Sequence, residues 1–221
     1  MATSPKALTI AAFGARGTGK TAWVKQFLRN ARPARLMVWD YKHDHALSDL
    51  GQPYTSWPEF VKACRVKAFA ARYLVSPDHD PHEQFEAFCQ LAWREGNLIL
   101  FVDELAEVTK ANNAPPAWRK VVNVGRSYDN GRKSIAIIGA SQRPAEVDKS
   151  FLANCDVIHT GRLGDVADAK RFAQSWGIGA DELVNLPDLH WVEKRADSPE
   201  LQRGVLKFSV AKGRAVAPPK G

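Results

Sequence analysis

Cysteine is scarce: three in 221 residues, Cys64, Cys89 and Cys155, scattered and without a C-x-x-C pair. That excludes a disulfide framework and a zinc ribbon, and points to a reducing compartment. Long apolar runs are missing too. The longest is Leu-Ile-Leu-Phe-Val at 98–102, far short of the roughly 18 residues a membrane-spanning helix needs. No internal repeat and no heptad pattern is present, which leaves out repeat arrays and coiled coils. Acids are absent from the first 39 residues, against seven Lys/Arg. The apolar stretch near the start superficially resembles a secretion signal, but it runs straight into a glycine motif and is read as mature protein.

What is there describes an ordinary globular chain. Hydrophobic residues at 45% and charged residues at 25% exclude wholesale disorder. The length predicts one domain, 1–210, followed by a basic, Pro- and Gly-containing flexible tail at 211–221. The net charge of +7 makes a polyanion a plausible partner. That charge is uneven: positions 78–107 hold eight acids and one Arg, so the basic surplus lies at the amino terminus, around 119–149 and in the last twenty residues.

Strand-like runs at 8–13, 35–40, 72–76, 97–104, 133–141 and 156–163 alternate with helix candidates at 19–30, 82–95, 117–127 and 165–176. Runs such as LILFV and IAIIG are apolar on consecutive residues, which fits strands covered on both faces. The prediction is an α/β fold with a mainly parallel central sheet and helices on both faces. LHWVEKR and GVLKFSV, separated by ADSPE and LQR, predict a C-terminal hairpin at the sheet edge.

Gly14-Ala15-Arg16-Gly17-Thr18-Gly19-Lys20-Thr21 matches G-x-x-x-x-G-K-[ST], after a strand and before a helix. The glycines let backbone N–H groups curl around phosphate oxygens at the positive end of the helix. Lys20 is expected to reach the β- and γ-phosphates of ATP, and Thr21 to place its hydroxyl on Mg²⁺. The buried run LILFV then delivers Asp103, a second Mg²⁺ ligand, and Glu104, placed to polarise a water against the γ-phosphate. A following acid of that kind signals hydrolysis rather than transfer to a small acceptor. The next strand ends in Ser141-Gln142, so Gln142 stands beside these groups if its strand neighbours that of Asp103.

The stretch 125–163 resembles the corresponding region of the FtsK–HerA superfamily of ring-forming DNA-pumping ATPases. The resemblance is carried by Gly131-Arg132, by Ser141-Gln142-Arg143-Pro144, and by Val147-Asp148, Leu152, Asn154, Asp156 and Arg162. With Gly14–Thr21 and Asp103-Glu104 it covers roughly 7–175 in the right order. The brevity is similar to the genome-packaging ATPases of tailless double-stranded-DNA viruses with an internal membrane. Neither a HerA-type barrel nor an FtsK-type winged helix is expected. The resemblance implies a P-loop NTPase fold of the RecA/FtsK-like kind, and ATP hydrolysis coupled to sequence-independent movement of double-stranded DNA by a homo-oligomeric ring, six subunits being expected. It also implies residence in the host cytoplasm, incorporation at a virion packaging vertex, and capsid or membrane vertex proteins as partners.

Such rings complete each site with an arginine from the neighbouring subunit. Arg126 and Arg132 are favoured for that role, with Arg162 a second candidate and Arg143 a further one. Lys110, Arg119 and Lys120, after the Asp103-Glu104 strand and just before or within the polar, Pro-broken ANNAPPAWRK segment, are candidates for DNA phosphate contact from an exposed loop. His43-Asp44-His45 and His79-Asp80-x-His82 look like metal ligands but form no complete tetrahedral set. A filamentous-phage morphogenesis ATPase of the zonula-occludens-toxin type, and a small nucleotide-kinase-like phosphotransferase, are the competing readings.

Overall fold

A computed structural model describes residues 7–207. Its strands are β1 (Thr9–Phe13), β2 (Arg35–Asp40), β3 (Gln52–Tyr54), β4 (Phe69–Leu74), β5 (Leu98–Val102), β6 (Ile135–Ser141), β7 (Val157–Thr160), β8 (His190–Arg195) and β9 (Leu201–Val205). Its α-helices are α1 (Lys20–Ala31), α2 (Trp57–Ala63), α3 (Pro81–Glu95), α4 (Pro116–Val124), α5 (Lys149–Ala153), α6 (Val166–Trp176) and α7 (Ala180–Val184).

All nine strands form one sheet, ordered β3-β4-β2-β5-β6-β1-β7-β8-β9. Every pairing from β3 to β7 is parallel, and the last two, β7–β8 and β8–β9, are antiparallel. The consecutive apolar residues read as two-sided burial do alternate between faces. Ala11, Phe13, Met37, Trp39, Leu98, Leu100, Val102, Ile135 and Ile137 belong to one core, and Ile10, Ala12, Leu36, Val38, Ile99, Phe101, Ile138 and Ala140 to the other. The cover is lopsided. Buried residues of α2 to α7 pack on the first face, whereas α1, through Val24 and Leu28, and the 47–50 segment cover the second.

This topology positions the site. With parallel strands, the C-terminal ends of β2, β5, β6, β1 and β7 share one edge. There Asp40, Asp103, Ser141, Gly14 and Gly161 succeed one another across the sheet. Ligands of open α/β sheets sit in the crevice at that edge.

Several boundaries differ from the sequence reading. β4 occupies 69–74 rather than 72–76, α4 stops at Val124 rather than 127, and β9 starts at Leu201, so that the LQR assigned to the link is its first half. The expected continuation of β9 to 210 and the tail at 211–221 fall outside the described residues. β3, α2, α5 and α7 were not anticipated; at three to seven residues they are too short to show a period. ANNAPPAWRK is not one exposed loop: Pro116 opens α4 and Trp118 is fully buried in the core. Proline suits a first helical turn because its missing N–H has no partner there in any case.

Candidate functional site

Helix α1 begins without a side-chain cap, as α2, α4 and α7 also do. α3, α5 and α6 are capped by Asp80, Asp148 and Asp165, whose side chains accept from backbone N–H groups of the first turn. α1 starts from Gly19 with no side-chain cap and no acid in its first turn. Its first N–H groups are left for an anion, and the helix dipole favours one. Gly19 sits at φ 101°, and a Cβ there would meet Leu189 Cδ2 at 3.2 Å and Leu206 Cδ2 at 3.3 Å. A glycine is required on both counts. The loop before it is braced by Ala15 N–H donating to the Arg162 carbonyl (2.8 Å) and by the Thr18 hydroxyl donating to the Ala15 carbonyl (2.9 Å).

Lys20, buried, points across this loop to the end of β5: its Nζ lies 3.5 Å from Asp103 Oδ1 and 3.9 Å from Glu104 Oε1. β5 pairs with β6, so Gln142 does stand beside Glu104, its Nε2 donating to Oε1 at 2.7 Å. Glu104 adopts φ 52°, the left-handed region that a non-glycine residue rarely holds. Burial raises the pKa of Asp103, and the neighbouring Glu104 and Asp40 charges add to that, with Lys20 opposing. For Glu104, burial also acts upward, but Lys20 and the hydrogen bonds from Gln142 and Lys42 outweigh it and hold the carboxyl below its ordinary value.

These groups line one cleft of about 1290 Å³. Its floor is the 15–21 loop with Asp103, Glu104 and Gln142; Lys42 to Ala46 form one wall, and Leu189 and Leu206 stand at the hairpin side. Thr21 and Asp103 supply oxygen donors of the kind Mg²⁺ takes, and the cost of burying Asp103 as an anion is what a cation there would offset.

Known proteins share the fold. No protein-family model matches the chain. Over 180 residues it is 26% identical to Protein P9 of Pseudoalteromonas phage PM2, covering 80% of this chain and 78% of that one. Its fold matches the genome packaging NTPase B204 of Sulfolobus turreted icosahedral virus 2, solved in complex with ATP-gammaS, with a TM-score of 0.72 at 16% identity over 92% of this chain and 99% of that one. By fold, the chain is similar to this genome packaging NTPase. The bacterial conjugative coupling protein TrwB shares this architecture, with a TM-score of 0.63 at 12% identity over 95% of this chain and 87% of that one.

Within this fold the candidate arginines separate. Arg162 follows β7 beside the phosphate loop, with its guanidinium on Asp188 at 2.8 Å. Arg143 follows β6 and pairs with Asp168 and Glu146, each at 3.2 Å. Arg126 and Arg132 lie at the opposite edge. Arg126 is held by Asp156 Oδ1 (2.8 Å) and the Asn154 carbonyl (2.6 Å), and Asp156 Oδ2 accepts from the N–H of Thr9 at the start of β1. Arg132 bonds Asp129 in an exposed turn whose backbone is tied to Asn97, just before β5. The length of β1, roughly 15 Å, therefore separates both from their own phosphate loop. Of the other basic candidates, Arg119 donates to the Ala114 carbonyl and Lys120 covers the Trp93 ring at 4.3 Å; neither forms an ion pair among the described residues. His43 bonds the Val75 carbonyl, Asp44 caps a short 3₁₀ turn, and Asp80 caps α3, so both histidine-rich segments are loop and cap structure.

Sequence reasoning passed over the end of β2. Asp40, fully buried, receives Arg72 Nη1 from β4 at 2.7 Å and the Asp44 N–H at 2.9 Å, fixing the loop that carries Lys42 into the cleft. The signal was available: VWD-YK ends a buried strand in an acid just as LILFVDE does. Removing one partner of a buried pair leaves an uncompensated charge. Arg72→Ala is accordingly expected to cost about 3–5 kcal/mol in a denaturant titration; a loss within the scatter of surface substitutions would show the pair to be solvated.

Proposed function

We propose that this protein is an ATPase that moves double-stranded DNA in viral genome packaging, working as a ring. The observation that carries the proposal is the acid beyond the metal aspartate: Glu104 lies at the mouth of the phosphate loop, oriented by Gln142 at 2.7 Å. Gly14 to Thr21 cradle the phosphates, with Lys20 as their buried cation. Thr21 and Asp103 would hold Mg²⁺, which supplies positive charge to the β- and γ-phosphate oxygens. Glu104 accepts a proton from the attacking water, and Gln142 fixes the carboxylate and the water's approach. A nucleotide-kinase reading gives Glu104 and Gln142 nothing to do.

The ring is supported by the far-edge placement of Arg126 and Arg132: neither can reach its own γ-phosphate, and both face outward, where a neighbour's cleft can receive them. A hexamer is the closure this reading adopts. DNA, gripped without sequence preference, accounts for the +7 charge, with Lys110, Arg119 and Lys120 as its first candidate contacts.

The test is phosphate release with and without long double-stranded DNA. Turnover is expected to rise with DNA of any sequence, and binding to fall steeply between about 50 and 200 mM salt as counterion release dictates. A salt-independent affinity, a preference for one sequence, or phosphate appearing on a small acceptor instead of in water would refute the motor.

A further inference from the structure

Among the lysines that line the cleft, Lys42 belongs to no phosphate-loop motif yet reaches the Glu104 carboxylate. Lys42 Nζ lies 3.1 Å from Glu104 Oε1, the same oxygen that takes Gln142 Nε2 at 2.7 Å and stands 3.9 Å from Lys20 Nζ. Two cations and an amide donor thus converge on one carboxylate oxygen. Two of them are confined: Lys20 is buried, and Gln142 extends from the end of β6. Lys42 is different. Its side chain is 47% exposed while the oxygen it reaches belongs to a side chain only 9% exposed.

The backbone around it is fixed at both sides. Asp40 holds the loop through Arg72 and through the Asp44 N–H, the Val75 N–H donates to the Asp40 carbonyl at 3.2 Å, and His43 bonds the Val75 carbonyl at 2.7 Å. A braced loop therefore carries a half-exposed cation on a four-carbon stem, entering from the β2 flank of β5 while Gln142 enters from the β6 flank. An exposed ammonium gains little from one partly solvated carboxylate. A terminal phosphate, with two negative charges and three acceptor oxygens, is the stronger partner for the same group.

We infer that Lys42 reads the γ-phosphate. With the cleft empty or holding ADP it latches Glu104; when ATP enters it exchanges that carboxylate for the γ-phosphate and releases Glu104 toward the attacking water. The exchange moves an ion pair only, with no bond made or broken. The inference rests on the ATPase reading of the cleft and adds to it a device that separates the ATP state from the ADP state.

The experiment compares Lys42→Ala and Lys42→Arg with wild type, measuring affinities for ADP and for the β,γ-methylene analogue of ATP by calorimetry with Mg²⁺, and thermal unfolding without nucleotide. Lys42→Ala is expected to lose about tenfold in affinity for the ATP analogue while ADP affinity and unfolding temperature stay within error; Lys42→Arg, which keeps the charge, restores most of the preference. Equal weakening of both nucleotides, or an unchanged ratio between them, overturns the inference and leaves the ATPase reading standing. Wild-type protein that binds neither nucleotide overturns the ATPase reading, and this inference with it.

Discussion

Glu104→Gln is expected to lower ATP turnover by about 10²–10⁴-fold, the range that one positioned general base supplies, while ATP still binds. The side chains are nearly isosteric, so the Gln142 amide keeps an oxygen to donate to, and Lys20 remains paired with Asp103 at 3.5 Å. What disappears is the ability to take a proton from water. Asp103→Asn should fail differently. It removes the buried charge opposite Thr21, so the loss appears in Mg²⁺-dependent affinity before it appears in turnover. Lys20→Ala removes the buried cation of the phosphate loop and should abolish hydrolysis altogether. Measuring affinity and turnover separately decides the matter: equal loss of affinity in the Glu104 and Asp103 variants would sink the division of labour, and near-normal hydrolysis by Lys20→Ala would remove the site itself.

Most of this site was legible because its chemistry is written into contiguous residues. Gly14 to Thr21 form one loop, Asp103-Glu104 follow one apolar strand, and Gln142 ends the next, so that only the neighbour relation of β5 and β6 had to be supplied by the fold. Alternation of strand and helix over most of the chain was equally visible, since periodicity accumulates over elements as long as α1 or α3. The remainder depends on contacts distant in sequence. Arg72 and Asp40 are 32 residues apart and meet only because β4 pairs with β2. Leu189 and Leu206 pack on Gly19 only because the C-terminal hairpin continues the sheet beyond β7. The ANNAPPAWRK segment was misjudged for a local reason: its prolines were read as breakers, although a proline at the first turn starts a helix as readily as it ends one. The arginines are the hardest case. The strand at 133–141 already put Arg126 and Arg132 before it and Arg143 after it, but which of them can serve a neighbour depends on how subunits pack, which no local residue pattern carries.

Mixing two inactive variants is expected to restore hydrolysis if the site is shared between subunits. Lys20→Ala disables the phosphate loop of its own subunit; Arg126→Ala or Arg132→Ala disables what that subunit offers its neighbour. In mixed rings, some interfaces join an intact loop to an intact arginine, and those interfaces turn over. An arginine supplied in trans is worth on the order of 10³-fold or more in phosphoryl transfer, so even a minority of repaired interfaces stands well above either parent. The two arginines have different second effects. Arg126 also binds Asp156, whose carboxylate anchors the start of β1, so Arg126→Ala carries a stability cost that Arg126→Lys should lessen without restoring bidentate recognition of phosphate. Among the described residues Arg132 pairs with Asp129 alone, in an exposed turn with its side chain 72% accessible, so its loss should leave unfolding unchanged. Recovery with one arginine variant identifies the donor. Turnover per subunit should also climb from nanomolar to micromolar protein as rings assemble, and a flat rate together with no recovery in either mixture would show each subunit to be complete alone.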